Sequence, residues 1–211
     1  MNRLALLEIG AVFFLLEIRI WLLGKGWISW PATLLPLIPI LWHWYKNPHE
    51  FKDNFRPAGT RNDYLILGFV FLFFWRAIGL AAEIWNPDFW NQPAFLLKFG
   101  KRVLPYFFWA FFQQLCLCGY FVNRLNKMFN NPRRTTIVSG ILFAIVHLPN
   151  PVLVPATLIG GLISAHLFQK TRNLYLLALL HAILAVMILY ALPVTWHHHL
   201  RIGPGFYRWE P

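Results

Sequence analysis

The chain has 211 residues, the size of one domain, of which 58% are hydrophobic, 18% aromatic and only 13% charged, against roughly 25% charged in a soluble domain. Mean hydropathy is +0.49, and a soluble protein this small has no interior large enough to hide so much apolar surface, so the composition excludes disorder and points to lipid as the solvent. The formal net charge of +11 does not indicate nucleic-acid binding, because Lys and Arg sit in short clusters between apolar runs, as the anchors and orientation signals of membrane proteins do.

Measured against the roughly 20 residues needed to cross a bilayer, the apolar runs predict about seven transmembrane helices. The first covers about Leu4 to Leu23 and, lacking a small-residue cleavage site, reads as a retained span. The second, Ser29 to Tyr45, is short and broken by Pro31, Pro36 and Pro39. Lys46 to Asp63 reads as a loop, and the third span is Tyr64 to Ala82 with Arg76 inside it. Glu83 to Lys101 is an aromatic connection expected at the membrane interface. The fourth span, Val103 to Val122, holds Gln113 and Gln114, and a basic loop follows. The fifth, Thr135 to Leu148, stops at Pro149-Asn150-Pro151. The sixth, Val152 to Phe168, contains Gly160, Gly161 and Ser164, small residues that permit close helix approach. The seventh, Asn173 to Leu192, carries His181, and a tail runs from Pro193 to Pro211.

No repeat or low-complexity linker divides the chain, so residues 1–211 read as a single all-α integral membrane domain. Seven spans place Arg3, Lys46, Lys52, Arg56, Arg61, Arg124, Lys127, Arg133, Arg134, Lys170 and Arg172 on the side of the N-terminus. Fewer cations (Lys25, Lys98, Lys101, Arg102, Arg201, Arg208) lie opposite. That bias predicts N-in, C-out. Cys116 and Cys118 point about 200° apart on a helix and cannot bridge each other.

Ionisable and amide side chains at membrane depth are costly and mark function by default. Glu8 and Glu17 lie about 180° apart and cannot work as a pair. Glu8 is close enough to the N-terminus to reach the interface, whereas charge pairing or snorkelling accounts for Glu17, Arg19 and Arg76. His166 reads as a hydrogen-bonding partner between helices, and His197-His198-His199 as an interfacial run. Three elements look more deliberate: Gln113-Gln114 with Cys118 one turn on from Gln114, Phe143 with His147 one turn on, and His181 in the middle of its span. They could converge on one buried polar pocket, or the amides and histidines could serve only as interhelical hydrogen-bonding groups.

At these elements the sequence resembles the CPBP family, the CAAX-protease and bacteriocin-processing intramembrane proteases, known by Glu-Glu-x-x-x-Arg, Phe-x-x-x-His and His-x-x-x-Asn (or Asp) on successive helices. Here the elements read Gln113-Gln114-Leu115-Cys116-Leu117-Cys118, Phe143-Ala144-Ile145-Val146-His147 and His181-Ala182-Ile183-Leu184-Ala185. Order and spacing agree over about 103–192; before residue 103 only the layout of spans agrees. The resemblance implies a CPBP-like core and an endopeptidase acting on a membrane-associated protein or lipidated peptide. In that family a glutamate activates water, and the histidines and the asparagine help bind the water and stabilise the oxyanion. Gln113 and Gln114 cannot accept that proton. Cys118 stands where the family has arginine, and Ala185 replaces the asparagine.

Four readings follow. A divergent protease would use His147 or His181 as base, with Gln113 or Gln114 positioning water and Phe143, Cys118, Asn150 and Ala185 around the pocket. An inactive member would bind a peptide or partner, for immunity, sorting or scaffolding. Cys118 could be a nucleophile activated by a histidine, or His147, His181 and Cys118 could hold a metal. The first is preferred, with no cofactor, no metal and no nucleic-acid partner, in a bacterial cytoplasmic membrane.

Overall fold

The computed structural model describes residues 3–22, 35–91 and 95–208, and all regular structure among them is helical. In chain order the helices are α1 (Arg3–Trp21), α2 (Leu37–Lys46), α3 (Pro48–Asp53), α4 (Arg61–Trp85) and α5 (Phe95–Gln114), which runs into a π-helical segment, Leu115–Val122. After it come α6 (Asn123–Phe129), α7 (Pro132–Ile145), α8 (Leu153–Thr171) and α9 (Leu174–Ala191). The tail forms α10 (Val194–His197), a 3-10 turn (His198–Leu200) and α11 (Pro204–Tyr207).

The helix boundaries follow from local chemistry. Thr60 and Asp63 cap α4 reciprocally: the Asp63 amide donates to Thr60 Oγ1 at 3.3 Å and the Thr60 amide to Asp63 Oδ2 at 2.8 Å, a capping box. Asn131 accepts from the Arg134 amide ahead of α7, with Pro132 in the first helical turn, and Asn173 accepts from the Leu176 amide ahead of α9. Both side chains satisfy amides that the first helical turn leaves without partners.

α4 and α9 are long and apolar enough to cross a membrane. Leu65, Phe69, Leu72, Phe73 and Leu80 are exposed along α4, a surface suited to lipid rather than water. Two expected spans are only partly visible: the first ends at Leu23, and the second begins at Ser29 and includes Pro31. Those residues, with Lys25, lie outside the described residues.

The aromatic connection after α4 is shorter than expected, because α5 begins at Phe95 rather than near residue 103. Phe89, Phe95 and Phe99 leave the surface and pack with Val186, Met187 and Ala191 of α9. Trp90 lies against Gly79, where a Cβ would meet its ring at 2.8 Å. Aromatic burial thus outweighs interfacial exposure here.

α7 and α8 cross closely: Gly161 lies so near Gly140 that a Cβ would sit 3.1 Å from the Gly140 Cα. Gly160 has no atom within 4 Å of its Cβ position and instead lines a cavity. Of the adjacent glycines, one therefore serves packing and the other leaves space.

Glu8, expected at the interface, stays partly exposed and has a partner remote in sequence. Glu8 pairs with the buried Arg124 of α6, and His43 lies 3.9 Å from Glu8 and 3.2 Å from Glu50, linking the two carboxylates. Arg76 pairs with Glu83 at 2.9 Å, both side chains being exposed.

Candidate active site

The site forms where α5 passes into the π-helical segment. The wider turn of a π-helix, with i→i+5 bonding, often occurs at functional sites and frees backbone carbonyls. Here the Gly119 carbonyl accepts from Asn123 Nδ2 at 2.9 Å and from Asn54 Nδ2 at 3.4 Å. Those two side chains secure the segment just beyond Gln113 and Gln114.

Gln114 is buried and fully engaged. Its Nε2 donates to Ser164 Oγ of α8 at 3.3 Å and to His181 Nδ1 of α9 at 3.2 Å, while its Oε1 accepts from the Cys118 thiol at 3.2 Å. One amide thereby ties three elements together. Gln113, its neighbour, has a buried Oε1 without a hydrogen-bond partner. In a low-dielectric interior an unpaired acceptor is costly, so it is the atom of the pair able to take a hydrogen bond from a bound molecule.

The two histidines have opposite tautomers. His147 Nδ1 lies 2.6 Å from the Phe143 carbonyl oxygen. A carbonyl only accepts, so Nδ1 carries the proton and Nε2 keeps a lone pair. His181 Nδ1 accepts from the Gln114 amide, which leaves the proton on Nε2. The Phe143 ring separates the two imidazoles, with centroids 4.8 Å from His147 and 5.9 Å from His181, both edge-on.

A cavity of about 700 Å³ is lined by Gln113, Gln114, Phe143, His147, Ser164 and His181, with Ala185 also on its wall. A second cavity, of about 330 Å³, shares Gln113, Phe143 and His147. Among the described residues no Asp or Glu lines either one. The wall can therefore accept a proton at His147 and donate hydrogen bonds from His181, and it offers the neutral acceptor of Gln113.

Asn150 does not line either cavity. Its Nδ2 donates to the carbonyls of His197 and Arg201, each at 2.9 Å, and its Oδ1 accepts from the amides of Val152 and Leu153, each at 3.0 Å. It caps the start of α8 and fastens the tail, which uses all its bonding capacity, so its expected place in the pocket is corrected. Cys118 is also absent from both linings, and its thiol donates to an amide rather than to a histidine. Among the described residues no group of three or more His, Cys, Asp or Glu could hold a metal ion. His197 bonds the Leu192 carbonyl and His198 the Phe206 carbonyl, so both serve the tail.

Ser164 was read in the sequence only as a small packing residue. The signal for its role was present: Thr157, Gly160 and Ser164 recur at helical spacing and form one stripe of α8 facing the cavity.

Residues 96–187 match the family model of the Type II CAAX prenyl endopeptidase Rce1-like proteins. Over this stretch the chain is similar to that family. The match supports CPBP-family membership and spans Gln113, Gln114, Cys118, Phe143, His147, Ser164, His181 and Ala185. No curated protein and no solved structure matches the chain. Rce1-like proteins are integral membrane endopeptidases, in keeping with the two long apolar helices here.

Proposed function

We propose that the protein is an intramembrane endopeptidase that hydrolyses a peptide bond in a membrane-associated protein or lipidated peptide, using His147 where the family uses glutamate. The observation that carries this reading is the pair of opposite tautomers on one cavity wall, an acceptor at His147 Nε2 and a donor at His181 Nε2. Water held by Gln113 Oε1 gives a proton to His147 Nε2 as its oxygen attacks the scissile carbonyl carbon. His181 Nε2–H donates to the oxygen as it becomes negative, the role of an oxyanion donor. On collapse the C–N bond breaks, the proton on His147 passes to the leaving nitrogen, and an acid and an amine depart. Gln114 orients His181 through Nδ1 and does not touch substrate. Ala185 supplies no donor, so the oxyanion depends on His181.

In this reading residues 1–211 form one domain of about seven spans, N-in and C-out, in a bacterial cytoplasmic membrane. The basic loops around Arg56, Arg133 and Lys170 support that orientation.

The second reading, an inactive member that binds a peptide or partner, is favoured by the missing carboxylate: neither Gln113 nor Gln114 can take a proton. Comparing protein termini in membranes that carry wild type, His147→Ala or no copy separates the two. Termini found only with wild type support hydrolysis and name the substrate. Identical termini in all three, with folded protein in the membrane, overturn hydrolysis in favour of binding.

A further inference from the structure

The larger cavity carries charge in one place. Among its described lining residues the charged ones are Arg201 and Arg208, both from the tail and both exposed. Gly205 lies between them on the cavity wall, and a Cβ there would sit 4.0 Å from the Arg201 Cβ. Arg208, the residue that ends α11, follows Gly205 by three positions and so shares a face of that turn with it. The two arginines therefore flank one glycine at the cavity rim. The ion pairs of Arg and Lys among the described residues engage Arg76, Arg124, Lys127 and Lys170, and none of them uses either tail arginine.

Backbone bonds hold this rim beside the catalytic wall. The Gly203 amide donates to the Leu148 carbonyl at 2.8 Å, and Asn150 Nδ2 donates to the Arg201 carbonyl at 2.9 Å. Leu148 directly follows His147, so the arginines stand within a few residues of extended peptide from the proposed base. The flank formed by Leu67, Phe71 and Phe74 of α4 is apolar. An occupant matched to this lining has apolar side chains, polar groups along its length and a negative charge near one end. A lipid acid has the charge and the apolar body, but its chain leaves Gln113, His147 and His181 without partners, which is costly. The N–H and C=O groups of a peptide meet them.

We propose that Arg201 and Arg208 bind a carboxylate of the peptide substrate, a few residues from the scissile bond, and so select which peptides the cavity takes. That carboxylate is the peptide's own terminus or an Asp or Glu side chain, since a guanidinium pairs with either in the same geometry. Both arginines lie outside residues 96–187, so the subsite belongs to the tail of this chain rather than to the matched core. The position of the carboxylate relative to the scissile bond rests on the hydrolytic reading. Its capture does not, and is measurable without cleavage.

The test is equilibrium binding to the full-length protein in detergent, read by fluorescence anisotropy of apolar peptides with a dye at the N-terminus. Of three probes, one ends in a free acid, one in an amide, and one in an amide with glutamate as its last residue. Mass spectrometry checks that each probe stays intact, and His147→Ala replaces wild type should cleavage occur. At least one acidic probe is expected to bind about tenfold more tightly than the neutral amide, and the tighter of the two identifies terminus or side chain as the source. Arg201→Gln and Arg208→Gln are each expected to reduce that preference to about threefold or less. Asn150 holds Arg201 by its backbone carbonyl, so the substitution leaves the tail fastened. Arg201→Met or Arg208→Met replaces a variant that does not purify as a single species. Arg133→Gln, at the end of α7 remote from His147, is expected to leave the preference unchanged. Equal binding of all three probes overturns the proposal, as does a preference that survives loss of both arginines. An equal fall in Arg133→Gln assigns the preference to overall charge and overturns it too. Oleate that displaces the acidic probe more tightly than the probe itself binds overturns the peptide in favour of a lipid acid. Carboxylate-selective binding together with identical termini in the membrane comparison overturns hydrolysis and leaves the subsite standing.

Discussion

Two polar clusters lie at opposite ends of the π-helical segment, and they are built differently. Beyond its end, Glu8 pairs with Arg124 and Glu50 with Lys127, and His43 lies against both carboxylates, joining α1, α2, α3 and α6. Before its start, Gln113, Gln114, His147, Ser164 and His181 form a neutral cluster around a cavity, and the Gln113 oxygen is left over. The charged cluster lines neither cavity and, although Arg124 Nε is left without a partner, is held by ion pairs, which suits it to holding helices together. The neutral cluster keeps an unused acceptor and open space, which chemistry or binding requires. Adjacent residues can therefore differ in kind: Gln114 is structural in its bonding, whereas Gln113 is available.

The sharpest test of that division is Gln113→Ala. If this side chain holds the attacking water, cleavage falls about 10–100-fold, as for the loss of a positioning group. Thermal stability stays within about 0.5 kcal/mol because no protein partner is lost. Rate and melting temperature measured on one preparation check both halves. A fall in stability with unchanged rate would reverse the two roles.

Gln114→Ala should do the opposite first. It leaves His181 Nδ1, Ser164 Oγ and the Cys118 thiol without their partner, at a cost of about 2 kcal/mol. It also frees His181 to change tautomer, which ¹⁵N shifts of the labelled imidazole report directly. An unchanged His181 spectrum would show that the amide does not set that ring.

In the charged cluster, Arg124→Met should destabilise by about 1–2 kcal/mol, because Glu8 loses its cation while keeping part of its access to solvent. Here the rate per folded molecule should not move. A changed rate would mean that the two clusters are coupled through the π-helical segment.

The smallest effect concerns acid. Burial pushes the Glu50 carboxyl up, but hydrogen bonds and charge from Lys127 and His43 outweigh it and hold the group below the ordinary carboxylate value. A depressed pKa contributes stability above the unfolded value, and that contribution is lost as pH falls through the folded value. The melting temperature should therefore drop by about 2 °C more in wild type than in Glu50→Gln between pH 6 and pH 3. Equal drops would remove Glu50 from the account.

Much of the architecture was legible in the chain itself. Apolar run length and composition specify helices in lipid, because an unpaired backbone is too costly there. The seventh apolar run was read from Asn173, which caps α9, whereas the fifth was read from Thr135 and α7 begins at Pro132. The pairing of Glu8 with Arg124 was not legible because the two are remote in sequence, and only helix packing brings them together. Asn150 was misread because a polar residue beside a motif looks the same whether it faces a pocket or caps a helix.

Sequence alone determined the apolar composition, the helical class and the amides at the positions of the family's carboxylates, since these depend on composition and on local spacing. Tertiary structure alone decided that Gln114 rather than Gln113 is bonded to His181, that Ser164 joins them, that the two imidazoles take opposite tautomers, and that the tail is fastened by Asn150. Each of those depends on directional hydrogen bonds between residues far apart in the chain, and direction exists only after the helices have packed.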